Sequence, residues 1–242
     1  MSDKPRLNVG MVGYAFMGKA HSHAWRTAPR FFDLPMRLGM TAVCGRHADR
    51  AAAAAAELGW DGFETDWRAL VARDDIDLID ICAQGDTHPD IAIAALEAGK
   101  HVLCEKPFTS NADEARAVKA VADTHPDQVV MEAFHYRYHP FAERLREIVA
   151  GGELGTIRRV ETAMCFPLPR FGDIRYDYAL AGGATMDVGC YTIHCLRLLA
   201  GEEPTVTSAE AKLKGPKIDR AMQAELAFPS GATGRIHCSM WS

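Results

Sequence analysis

No stretch of this 242-residue sequence is apolar for long enough to cross a membrane. There is no long block of Lys and Arg either, and the net charge is −5, which argues against nucleic acid as the main partner. The seven cysteines are an odd number, and none forms a Cys-x-x-Cys pair. Neither a disulfide framework nor a zinc site is therefore expected. Cys44, Cys82 and Cys104 end apolar runs and read as buried, reduced thiols of a cytosolic protein. The amino-terminal residues, among them Ser2, Asp3, Lys4 and Arg6, contain no signal-peptide apolar region, so a cytoplasmic location is expected. Repeats and low-complexity segments are lacking apart from six consecutive alanines at 51–56. What remains is an average globular composition, 48% hydrophobic and 24% charged, with enough chain for one large or two ordinary domains.

Short apolar runs at 7–12, 38–44, 76–83, 102–104 and 128–134 alternate with helical stretches: from the first glycine turn to about 26, 49–59, 66–71, 91–98, and a helix capped by Thr109 or Ser110 and ending near 122. Pro29 and Pro35 bracket a loop. This is the pattern of a doubly wound parallel sheet, a Rossmann domain over residues 1–130. Over residues 131–242 the texture changes. One amphipathic helix (141–150) is followed by alternating runs at 156–166, 205–214, 220–228 and 232–241, interrupted by a helix at 184–200. Consecutive strands with few helices between them predict an α+β domain with a mostly antiparallel open sheet.

The first apolar run leads into Gly13-Tyr-Ala15-Phe16-Met17-Gly18. Backbone N–H groups at a helix start can approach a pyrophosphate closely only where side chains are small. Ala15 here replaces the usual middle glycine; an ordinary strand-to-helix turn is the alternative reading. The second strand ends Cys44-Gly45-Arg46 without the Asp or Glu that usually meets a ribose hydroxyl. Arg46 can pair with a 2′-phosphate instead, or point into water as a helix-start arginine; the first reading favours NADP over NAD. A short run then ends abruptly in Glu105-Lys106-Pro107, at the strand end where open parallel sheets bind ligands. In the helix at 184–200, Asp187, Tyr191 and His194 stand four and three residues apart and share one face, either to bind something or as a solvated or internally hydrogen-bonded stripe. His21 and His23, two residues apart, do not share a face and read as surface or packing residues.

Taken together, the glycine turn, Glu105-Lys106-Pro107, the sheet-forming second half and Gly182-Gly-Ala-Thr-Met-Asp187-Val-Gly-Cys-Tyr191 resemble the Gfo/Idh/MocA oxidoreductase family over nearly the whole chain. Asp173-Ile-Arg175 leading to Asp187-x-Gly-x-Tyr191 is most similar to the branch with aldose (D-xylose-type) dehydrogenases, glucose–fructose oxidoreductase and dimeric dihydrodiol dehydrogenases. The resemblance implies NADP- or NAD-dependent hydride transfer to or from a sugar or related polyol, with a cyclitol or trans-dihydrodiol as alternative substrate. A non-catalytic dinucleotide sensor or scaffold is the alternative of another class. Gly13, Ala15, Phe16, Met17 and Gly18 would hold the pyrophosphate and Arg46 the adenosine ribose. Gln84, Gly85 and His88 would border the cofactor cleft, with Glu105 and Lys106 beside the nicotinamide. Tyr191 matches the acid/base position and Asp187 the binding of substrate hydroxyls; Arg175, Tyr136 and His194 are further substrate contacts. Lysine and tyrosine titrate near pH 10, but an ammonium beside a phenol favours the phenolate, so Lys106 and Tyr191 would share the hydroxyl proton. A homodimer or homotetramer through the C-terminal sheet is implied. Members of this family continue past the point where this sequence stops at Ser242, which implies a fragment or a sheet without its last strands.

Overall fold

The computed structural model describes residues 4–241. Ser2 and Asp3 of the polar amino terminus, and the Ser242 end of the last expected strand, lie outside them. The chain divides into two compact units, Met1–Ala133 and Phe134–Ser242.

In the first unit, β1 (Arg6–Val12), α1 (Phe16–Phe31), β2 (Arg37–Cys44), α2 (Ala48–Leu58), β3 (Gly62–Glu64), α3 (Trp67–Val71), β4 (Leu78–Ile81), α4 (His88–Glu97), β5 (His101–Cys104), α5 (Ala112–Asp123) and β6 (Val130–Glu132) follow in order. The six strands are all parallel, in the order β3-β2-β1-β4-β5-β6. Alternate residues of each strand go to opposite faces. Val9, Met11 and Val43 pack with Ala54, Ala55 and Leu58 of α2, and with Met17 and Trp25 of α1. Val12, Ala42 and Cys44 join Leu70, Ile91, Leu96 and Val118 from α3, α4 and α5. The alanine run serves this packing: Ala51, Ala54 and Ala55 are buried and let α2 lie close to the sheet. Gly59 ends α2 at a φ of 81°, where a side chain would be strained.

Three local expectations change. β3 was not foreseen: it is a three-residue edge strand too short to carry a hydrophobic period. The first helix runs on past residue 26, through Pro29 in its last turns, to Phe31. The cap of α5 is Asn111, not Thr109 or Ser110; its side chain accepts from the Asp113 and Glu114 N–H groups.

The second unit holds α6 (Pro140–Ala150), β7 (Arg159–Cys165), α7 (Cys190–Ala200), β8 (Thr205–Gly215), β9 (Ile218–Ala227) and β10 (Thr233–Ser239). The sheet order is β7-β10-β9-β8; β7 and β10 are parallel and the other pairs antiparallel. Leu196 of α7 packs with Ala224, Leu226, Phe228 and Ile236 of the sheet side, fully buried. Truncating such a residue to Ala costs about 2–5 kcal/mol. β8 is exposed along almost its whole length. The helix expected at 184–200 is two pieces: Thr185–Gly189 is a π-helical turn, and only from Cys190 is the winding α. No helix among the described residues is long and apolar enough to cross a membrane.

Candidate active site residues

The strand order of the first unit reverses between β1 and β4, and a ligand crevice opens at the carboxyl ends of the strands beside such a reversal. The turn after β1 is built for close approach. Gly13 has a φ of 96°, and a Cβ there would stand 2.5 Å from the Cys82 carbonyl oxygen. A Cβ on Gly18 would stand 2.2 Å from the Gly13 oxygen. Helix α1 starts at Ala15 with no side-chain cap, the start that suits a phosphate. The residues present therefore fit a dinucleotide. Phe16 is exposed at this start, whereas the Met17 side chain turns into the core. Arg46 is exposed just past the end of β2. Gln84 and Gly85 lie just past the end of β4, in a single 3-10 turn that Thr87 ties down by donating to the Gln84 oxygen over 2.7 Å.

His88 needs correction as a cleft residue. Its ring is buried, with Nδ1 3.0 Å from the Pro107 oxygen and Nε2 3.2 Å from the Ala83 oxygen. It braces two loops from inside. Glu105 is likewise 5% exposed and turned inward. Its Oε2 accepts the Lys106 N–H at 3.1 Å, and its Oε1 lies 3.0 Å from His21 Nε2. His21, which its spacing reads as a surface or packing residue, is turned inward: it donates from Nδ1 to Asp80 of β4 at 2.9 Å, and Trp25 Nε1 donates to the same carboxylate at 2.7 Å. Burial alone would lower the His21 pKa. The hydrogen bonds and charges of Asp80 and Glu105 outweigh that and raise it to about 10. One step further along the chain, Glu132 accepts the Phe108 N–H at 2.8 Å. Burial raises the Glu132 pKa despite that hydrogen bond.

The second unit carries its own group of functional side chains. Arg175 reaches Asp187 Oδ2 at 3.1 Å and Asp173 Oδ1 at 3.2 Å, so the Asp187 carboxylate is oriented by a guanidinium. The Gly182-Gly183 pair permits this loop: a Cβ on Gly182 would stand 2.6 Å from the Asp177 oxygen, and one on Gly183 2.4 Å from Asp219 Oδ1. Asp219 also caps the π-turn, accepting from Thr185 N and Oγ1.

Tyr191 and His194 stand among aromatic rings. Phe134 meets Tyr191 edge-on at 5.5 Å and stacks on His194 at 4.3 Å. Tyr136 lies 6.2 Å from Tyr191 and hydrogen-bonds His194. Burial, then Arg137 and Arg197, lower the His194 pKa, while burial and Cys195 raise that of Tyr136. Both side chains are thereby kept neutral, with the phenol as donor and the imidazole as acceptor.

Residues 7–133 match the oxidoreductase family with an NAD-binding Rossmann fold, GFO_IDH_MocA, and residues 142–242 match the GFO/IDH/MocA C-terminal domain. The chain is 40% identical over 199 residues to D-xylose 1-dehydrogenase (NADP(+)) 2 of Haloferax volcanii, covering 82% of this chain and 61% of that one. It is 35% identical over 271 residues to levoglucosan dehydrogenase of Pseudarthrobacter phenanthrenivorans, covering 96% and 67%. A solved levoglucosan dehydrogenase, in complex with NADH and L-sorbose, superposes with a TM-score of 0.92 at 29% identity, over 98% of this chain and 68% of that one. The chain thus spans about three fifths to two thirds of the length of the proteins it matches. On the strength of both matched segments and of the fold, the chain belongs to the GFO/IDH/MocA oxidoreductase family.

Proposed function

We propose that this chain is the greater part of an NADP- or NAD-dependent dehydrogenase acting on the CH–OH group of a sugar or related polyol. The observation that carries this reading is the pairing, in the second unit, of an oriented carboxylate with aromatic faces. Asp187 is ion-paired to Arg175, and Tyr191 stands within a cluster of rings. Polyhydroxylated rings are bound by such sets: the carboxylate accepts from hydroxyls, and the ring faces cover C–H surfaces. Gly13, Ala15, Phe16, Gly18, Gln84 and Gly85 serve the cofactor through their backbone, and exposed Arg46, with no acidic residue at the end of β2, supports NADP as the preferred form.

The nicotinamide, when bound, accepts the hydride that leaves the carbinol carbon. The substrate hydroxyl must then give up its proton as the carbonyl forms. Lys106 and Tyr191 are the residues assigned to take it, and Asp187 holds a neighbouring hydroxyl in place. Arg175 acts on the substrate through Asp187, and Tyr136 and His194 present a neutral, hydrogen-bonded pair at the binding face. A homodimer or homotetramer formed through the C-terminal sheet, in the cytoplasm, completes the reading.

Binding of NADP+ and NAD+ is followed by intrinsic fluorescence, then reduction is followed by nicotinamide absorbance. The substrates are D-xylose, levoglucosan, myo-inositol and a trans-dihydrodiol. Reduction dependent on D-xylose or levoglucosan is the expected result. Reduction with myo-inositol or the diol alone moves the substrate class. Tight cofactor binding without turnover of any of them leaves a sensor and overturns the dehydrogenase reading.

A further inference from the structure

We infer that His21, acting through Glu105, is a positioning residue for Lys106, the chemical role of Lys106 itself resting on the dehydrogenase reading above. Asp80 is fully buried in the middle of an otherwise apolar strand, Leu78-Ile-Asp-Ile81. A buried carboxylate is costly, and a well-packed apolar side chain there would usually serve stability as well or better. Its acceptors are taken by Trp25 and His21, and the rigid imidazole then aims its second nitrogen at Glu105. Glu105 has one oxygen on His21 and the other on the Lys106 N–H. The next two residues are held in the same manner: His88 meets the Pro107 carbonyl, and Glu132 takes the Phe108 N–H.

Backbone groups of three consecutive residues are thus fixed by inward-turned side chains from α1, α4 and β6, with Glu105 as the local link. An ordinary strand-to-helix connection satisfies such groups with water or with a neighbouring Ser, Thr or Asp. A segment pinned from below in this way presents the Lys106 side chain from a fixed base. Misplacing a reacting group by about 1 Å costs on the order of 10²-fold in rate.

The test uses the full chain with two substitutions, His21→Gln and Glu105→Asp. The second keeps both charges but cannot span His21 and the Lys106 N–H at once. Hydrogen exchange of the Lys106 amide is measured by NMR, alongside turnover of NADP+ with D-xylose. Both variants are expected to exchange this amide at least about tenfold faster and to lose about 10- to 100-fold in kcat. NADP+ Kd and the KM for D-xylose should stay within about threefold. Glu132→Ala should reproduce part of the loss, and Glu132→Gln, which keeps an acceptor oxygen, should recover most of it. Unchanged exchange at Lys106 overturns the positioning role, and so does an acceleration there no greater than that of the core amides of α1 and β4, which report the global loss of stability. A wild-type chain that reduces no NADP+ with any sugar overturns the dehydrogenase reading alone; the Lys106 amide then decides the role of His21 by itself.

Discussion

The Tyr136 hydroxyl lies 2.5 Å from His194 Nδ1, and the two rings meet edge to face with their planes 86° apart. Each is kept neutral chiefly by burial. The His194 pKa is depressed in the folded chain, so the unfolded chain takes up the proton first as the pH falls below about 6.5. The stability that the pair contributes is therefore present above that pH and lost below it. Tyr136→Phe, which removes the donor, should lower stability by about 1 kcal/mol in neutral denaturant titrations, and the difference should shrink in acid.

His21 has the opposite sign. Its pKa is raised to about 10, so its contribution is complete below the unfolded value of about 6.5 and is lost as the pH rises through 10. His21→Gln leaves two buried carboxylates without their shared cation and should cost about 3–5 kcal/mol near neutrality. Denaturant titrations at increasing pH should show the gap between wild type and variant closing toward pH 10. Nitrogen-15 NMR of the imidazole should show His21 still doubly protonated at pH 8.

Lys106→Ala should lower kcat by about 10²- to 10⁴-fold while leaving NADP+ affinity within about threefold. Stopped-flow absorbance with D-xylose gives the first number and fluorescence titration the second. Equal losses in both would make Lys106 a cofactor ligand and not the proton acceptor.

Arg46→Ala should weaken NADP+ binding by about 10- to 100-fold, the worth of charge-assisted hydrogen bonds to a phosphate, and leave NAD+ binding unchanged. The two titrations on one variant settle which dinucleotide the end of β2 reads.

Gly18→Ala places a methyl group 2.2 Å from the Gly13 carbonyl oxygen, a distance no side chain tolerates. Either the turn or α1 must shift. Loss of binding for both NADP+ and NAD+ is expected, with a lower midpoint in thermal unfolding.

Much of the architecture was legible because its signals are local. β1, β2, β4 and β5 are apolar runs that stop at turn residues; Gly59 ends its helix through its backbone freedom at positive φ, and Asp66 starts its helix by accepting the Arg68 N–H. What stayed hidden depends on distance in sequence. His21 meets partners 59 and 84 residues away, and nothing in its own helix marks it. The one available hint was the charge inside Leu78-Ile-Asp-Ile81, since a buried carboxylate must have a partner. The resemblance implies a cleft position for His88, but its two carbonyl partners belong to loops the sequence does not bring together. The Asp187, Tyr191 and His194 stripe presumes α-helical winding throughout. The structure keeps Tyr191 and His194 on α7, places Asp187 in the π-turn, and gives it Arg175 as a partner.

That π-turn makes Thr185–Gly189 sensitive to length more than to composition. A π-turn is an α-helix with one residue to spare. Deleting a single residue there would let the segment close into α with the winding on either side still in phase, but the residues inside the turn, Asp187 among them, would be re-aimed about the axis. Asp187 would leave Arg175, while Tyr191 and His194, downstream, would stay where they are. Single-residue deletions across 185–189 should therefore be tolerated far less well than alanine substitutions at the same positions outside Gly189 and Asp187. The carboxylate and the phenol are kept in phase by a count of residues, which no side-chain replacement can restore.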